Sequence, residues 1–190
     1  MPPRVRFDRD AVLRAALSVA REEGLGAVTA RAVAKALGAS TAPVSAAFDG
    51  MPALVHALVV HLAERLRASV DDAAGGDPLQ GGALAFARFA RDEPRLYEAL
   101  FLVPHEVPPD WVGLRRSFAA GLEAVPRYAA LSPRARDALA WRATVVAHGL
   151  GVEVWSGRLS RVDDAARRRL IAELVEPVVA AYLASRRAPR

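Results

Sequence analysis

Four histidines, at positions 56, 61, 105 and 148, are the side chains of this 190-residue sequence best suited to hold a metal or carry a proton near neutral pH. His56 and His61 are five residues apart on a predicted helix, one more than the spacing that stacks two metal ligands on one face, and no acidic partner completes a site. His105-Glu106 stands in a proline-bounded loop with no second histidine nearby. The chain has no cysteine, which excludes a disulfide framework, a thiol nucleophile and any zinc site built on thiolates, and which fits a reducing compartment. There is no G-x-S-x-G elbow and no phosphate-cradling glycine loop, and Gly149-Leu150-Gly151 falls inside a predicted helix without the strand a dinucleotide site needs. These residues predict a protein that is not an enzyme, with no catalytic residue, no metal and no cofactor.

The remaining chemistry is that of recognition. The net charge is +5, and of 26 basic residues Lys35 alone is lysine. Residues 1–70 carry nine basic against six acidic side chains, and residues 71–190 seventeen against fifteen, so positive charge is denser in the first third, a modest bias toward an anionic partner there. Hydrophobic residues make up 53%, ample for a core and inconsistent with disorder. No charge-free stretch is long enough to span a bilayer, and Met1-Pro2-Pro3-Arg4-Val5-Arg6 has no apolar signal core, so a soluble, cytoplasmic protein without a membrane partner is expected.

The elements that must position the recognising residues are all helical. Alanine, leucine and arginine dominate, and no stretch alternates with period two. Asp8 caps a first helix whose Val12, Leu13, Ala16, Leu17 and Ala20 share one face until Gly24. Thr29 caps a short second helix that Gly38 stops, with Val33, Ala34 and Leu37 facing inward. Ser40 is the expected cap of a third, from Thr41 to about Ala47, and Pro52 sits in the first turn of a long fourth with Leu54, Leu58, Leu62 and Leu66 at four-residue spacing. Residues 71–82, rich in glycine and aspartate, read as a linker. Further helices are expected near 83–91, 94–103, 110–124, 133–156 and 163–186. The fold class is all-α: a three-helix domain over 1–50, then a larger helical domain over 51–190 whose first part, 51–74, is a connector helix.

Two short capped helices joined through Gly38-Ala39 have helix-turn-helix geometry. Gly38 permits the turn, Ala34 and Val44 allow a close crossing, and Phe48 plugs the small core.

Over about 45 residues this segment resembles the DNA-binding domain of the TetR/AcrR transcriptional regulators, through Val12-Leu13, Ala15-Ala16, Gly24, Thr29, Val33-Ala34, Gly38, Ser40, Val44, Phe48 and Leu54. Trp141 with His148-Gly149 is similar to a subgroup with a Trp…His-Gly effector domain, and Asp92-Glu93-Pro94-Arg95-Leu96-Tyr97 with Phe101 suits it. The resemblance implies a homodimeric, ligand-responsive repressor of a palindromic double-stranded DNA operator. Two departures stand out: Ser45 occupies the position of the usual phosphate-contacting tyrosine, and Met51 that of the usual lysine. Between Ser40 and Phe48 there is no Arg, Lys, Asn, Gln or His, so bidentate readout of guanine or adenine is excluded from this helix. The expected DNA-facing set is Ser40, Thr41, Ala42, Pro43, Val44, Ser45 and Phe48, with phosphate anchoring from Thr29, Arg31 and Lys35 and from an arm carrying Arg4, Arg6 and Arg9. The alternative is a ligand-binding helical dimer that has lost DNA binding and acts through a protein partner.

Aromatic residues gather in the larger domain, as a small-molecule effector site between helices requires: Phe86, Phe89, Tyr97, Phe101, Trp111, Phe118, Trp141 and Trp155, with His148 as a polar group. Trp141, His148 and Trp155 recur every seven residues and share one helix face. The last two helices read as a dimerisation pair, through Ala172, Val175, Val178, Val179 and Tyr182, with Arg167-Arg168-Arg169 as a solvated or partner-facing rim.

Overall fold

The computed structural model describes residues 7–72, 77–105, 111–159 and 162–187, and among them every regular element is helical. The chain divides into two compact units, Met1–Glu64 with Glu93–Pro109, and Arg65–Asp92 with Asp110–Arg190. The first unit therefore reaches beyond residue 50 and takes in a later segment of chain.

In the first unit, α1 (Arg9–Glu23) starts where the Asp8 carboxylate accepts from the Ala11 amide at 2.7 Å, and it buries Val12, Ala16 and Ala20 completely. Gly24 ends it at φ 90°, ψ 167°, a conformation open essentially to glycine alone, and a single 3-10 turn, Leu25–Ala27, follows. Thr29 then caps α2 (Ala30–Leu37), its hydroxyl accepting from the Ala32 amide at 3.2 Å. The chain turns at Gly38, left-handed at φ 64°, where the Gly38 amide donates to Lys35 and the Ala39 amide to Ala34, both at 3.0 Å.

Helix α3 (Ala42–Ala47) begins one residue later than expected. Its cap position is Thr41, not Ser40, and no hydroxyl makes the capping bond. Pro43 in the first turn lacks an N–H that the helix would otherwise leave unpaired, which reduces the need for a cap. Helix α4 (Gly50–Asp72) carries Leu54, Leu58 and Leu62 on one fully buried face within this unit, and it runs through the unit boundary at Glu64.

Nothing lies within 4 Å of a Cβ built on Gly38, so Gly38→Ala brings only the cost of a left-handed alanine. A loss of about 1 kcal/mol in denaturant-measured stability is expected, and unchanged stability would show that the turn tolerates a side chain.

The second unit holds α5 (Pro78–Asp92), α7 (Trp111–Gly121), α8 (Pro126–Ala129), α9 (Pro133–Trp155) and α10 (Asp164–Arg187); α6 (Pro94–Phe101) belongs to the first unit and packs on α1. Helix α5 packs on α9, and both carry buried small residues, Ala83, Ala87 and Ala90 on α5 and Ala140, Ala143 and Ala147 on α9; α7 and α10 also pack on α9. Small side chains on both faces let two backbones approach closely, so a glycine-bearing segment forms a helix here. The expected linker over 71–82 is accordingly shorter: α4 continues to Asp72 and α5 starts at Pro78, while residues 73–76 lie outside the described residues. Gly82 lies against Phe118 of α7, whose ring a Cβ would meet at 3.3 Å.

Two expectations for α10 are corrected. Val175, Val179 and Tyr182 are buried within their own chain; the Tyr182 hydroxyl donates to the Ala135 carbonyl at 3.0 Å, and its ring lies between the Arg142 and Arg186 guanidinium groups. These three residues are core, whereas Ala172 and Val178 of the same band are half-buried. Arg167 is no rim residue either: it is 1% exposed and donates to Asp164 at 2.5 Å and to the Val162 carbonyl at 2.6 Å, whereas Arg168 and Arg169 are exposed.

Candidate DNA-binding site

The helix-turn-helix presents a short, small-residue surface. Thr29, Arg31 and Lys35 on α2 and Ser40, Thr41, Ala42, Ser45 and Ala46 on or beside α3 are all exposed, and Pro43 is half-buried. Each of these expected contacts is thus reachable by a ligand. Val44 and Phe48 are not: each is 3% exposed, because the i, i+4 face of a two-turn helix is the only one that can hold α3 against its neighbours α1 and α2. Their methyls and ring position the helix. The exposed Ser45 hydroxyl donates to the Thr41 carbonyl of its own helix at 3.4 Å.

Arg9 has a different place from the phosphate-binding arm expected of it. Its Nη1 donates to the Ala47 carbonyl at 3.1 Å, and its guanidinium lies 4.0 Å from the centre of the Phe48 ring. A cation over an aromatic face and on a terminal helix carbonyl holds the end of α3. This contact joins residues 38 positions apart, and no spacing rule would have found it. Arg4 and Arg6 lie outside the described residues.

At the other end of α1, Arg21 forks onto the Glu93 carboxylate, Nε to Oε2 at 2.8 Å and Nη2 to Oε1 at 2.9 Å, and Arg95 donates to the Glu22 carbonyl. The carboxylate raises the affinity of the Arg21 guanidinium for its proton. These bonds fasten α6 to the helix that supports the turn.

The expected effector residues are distributed unevenly. Tyr97 and Phe101 belong to the first unit, where Tyr97 is wholly buried and the two rings meet at 4.9 Å. In the second unit Phe86, Phe89, Trp111 and Phe118 are half-buried on α5 and α7. Trp141 and Trp155, with Val145 between them, lie instead on the outward face of α9, at 52%, 36% and 54% exposure. His148 shares that face and is half-buried, which holds its imidazole below its ordinary pKa. The Arg115 guanidinium, fixed by Asp137 at 2.9 Å, lies 5.5 Å from the Trp141 ring centre. Among the described residues no group of acidic or histidine side chains is arranged to hold a metal, and no helix is long and apolar enough to cross a membrane.

Residues 12–58 match the family model for bacterial regulatory proteins of the TetR family. No curated protein matches the chain. Similar solved structures include a TetR family transcription regulator from Marinobacter aquaeolei VT8, 17% identical with a TM-score of 0.62, over 90% of this chain and 94% of that one. A transcriptional regulator from Rhodococcus sp. Rha1 is 19% identical with a TM-score of 0.61, over 91% and 96%. A Rhodococcus sp. RHA1 protein of unknown function is 19% identical with a TM-score of 0.66, over 96% and 97%. At these identities the likeness is one of fold, and it spans nearly the full length, while the helix-turn-helix carries the sequence match. Residues 12–58 are thus similar to the bacterial regulatory proteins of the TetR family, and the chain as a whole shares the fold of the solved regulators.

Proposed function

We propose that the protein is a homodimeric repressor that binds a palindromic operator and is released by an apolar or amphipathic small molecule. The observation that carries the DNA-binding part is the exposed small-residue face of α3 beside the exposed cations Arg31 and Lys35, in a turn fixed by Gly38. Arg31, Lys35 and the Thr29 region anchor phosphates, and α3 enters the major groove.

The dimer rests on the outward stripe of α9. Trp141, Val145, His148, Val152 and Trp155 follow a seven-residue period, and Leu174 on the neighbouring α10 is 42% exposed. A second copy meeting this stripe gives an isologous interface that takes the exposed aromatics out of water. Trp141 and Trp155 then serve the interface, and the effector contacts are Phe86, Phe89, Trp111 and Phe118. An effector releases the operator to the extent that it prefers a conformer whose recognition helices no longer match the groove; each 1.4 kcal/mol of preference is about tenfold.

A reporter gene placed behind the DNA flanking this protein's own gene tests the sign of regulation. Supplying the protein lowers expression if it represses; a rise makes it an activator, and no change favours action through a protein partner.

The stripe also predicts a pH dependence. The folded state disfavours protonated His148, so its contribution to stability is complete above the unfolded value of 6.5 and is lost as pH falls through the lower folded value. The thermal midpoint of the native protein should therefore fall more steeply below pH 6.5 than that of His148→Gln; parallel profiles would contradict it.

A further inference from the structure

We infer that α3 reads the C5-methyl groups of pyrimidines, so the operator is defined chiefly by thymines on the floor of its major groove. The inference rests on the DNA-binding reading above and gives it a specific chemistry. The exposed face of α3 consists of Ala42 and Ala46, one turn apart, flanked by Thr41 and Ser45. Nothing on that face reaches further than a hydroxyl, and the Ser45 hydroxyl is already turned onto the Thr41 carbonyl. The long cationic side chains are elsewhere: Arg31 and Lys35 stand on α2, and Arg9 is held at the Ala47 carbonyl and the Phe48 ring.

Short side chains have two consequences. The helix has to approach the base edges closely, and the groove, about 12 Å wide, admits it because no long side chain intervenes. Once there, it offers the bases methyl groups and very few hydrogen bonds. Alanine methyls offer no partner to the acceptors and donors of guanine or adenine, so even in an A·T pair the adenine N7 and N6 have to keep their water beside the contact. Thymine shows a methyl, and contact between it and Ala42 or Ala46 removes apolar surface from water. 5-Methylcytosine presents the same methyl beside an amino group, for which the exposed Ser45 oxygen is an acceptor.

The test uses the wild-type protein, so no variant has to fold. A duplex is selected from a random pool by binding, then remade with deoxyuridine for thymine, which keeps every hydrogen bond and removes only the methyl. Affinity is expected to fall about fourfold for each methyl contacted, and so on the order of tenfold or more over two half-sites. Returning thymine at the half-site positions alone restores it, and deoxyuridine outside the half-sites leaves it unchanged. Equal binding of the thymine and deoxyuridine duplexes would overturn methyl readout while leaving the regulator reading intact. If the pool yields no duplex bound above the average, that reading fails and takes this inference with it.

Discussion

Replacing Arg31 and Lys35 together with alanine lowers operator affinity by roughly a thousandfold at 0.15 M salt. Both side chains are exposed on α2, beside the turn that presents α3. In a symmetric dimer the two substitutions remove four phosphate contacts. Each contact releases about 0.9 of a counterion, so the slope of log affinity against log salt flattens by roughly 3.6. That number separates the account from a mere loss of folding, which would abolish binding without a graded change in slope. Titrations of the native and substituted proteins at several salt concentrations measure it. Retained affinity with an unchanged slope would remove both residues from the phosphate interface. Because α3 carries no cation, the expected electrostatic affinity falls on α2 more than it would beside a recognition helix bearing arginine or lysine.

The second large effect lies on α9. Trp141→Arg combined with Val145→Glu introduces charges into the outward stripe, and the protein is expected to sediment as a monomer. Both residues are already more than half exposed in the isolated chain, so the substitutions leave the core of the second unit, Leu139, Ala143 and Ala147, untouched. The monomer should keep its helical circular dichroism and lose operator binding, since one half-site supplies only half of the contacts. A substituted protein that still sediments as a dimer would move the interface elsewhere. A matching substitution of Val179, placed by its sequence pattern in a dimer band, would instead unfold the chain, because Val179 is 1% exposed inside its own unit.

The contrast between Val145 and Val179 shows what the sequence made legible. Periodicity identified the apolar faces of both α9 and α10, but an apolar face has the same pattern whether it meets its own chain or another. Which helix turned inward was decided by packing among α5, α7, α9 and α10, a property of four segments at once. The helix-turn-helix was read more completely because its determinants are local: Asp8 and Thr29 cap within three residues, and Gly38 fixes its turn by its own φ. Its residues nonetheless divided in a way the type of side chain did not reveal, with Val44 and Phe48 inward and Ala42, Ser45 and Ala46 outward. Arg9 on Ala47 and Arg21 on Glu93 span 38 and 72 positions, distances at which spacing carries no signal. Glycine propensity counts against a helix over 71–82, yet α5 starts at Pro78, where Gly82 lies against the ring of Phe118.

A helix-turn-helix with only hydroxyls and methyls on its recognition helix is expected to bind a specific operator. Fluorescence anisotropy of the purified protein on the DNA flanking its gene, at two salt concentrations and against a scrambled duplex, tests it most directly. Tight binding that weakens with salt and clearly prefers the native duplex is expected. Equal and weak binding to both duplexes would contradict it.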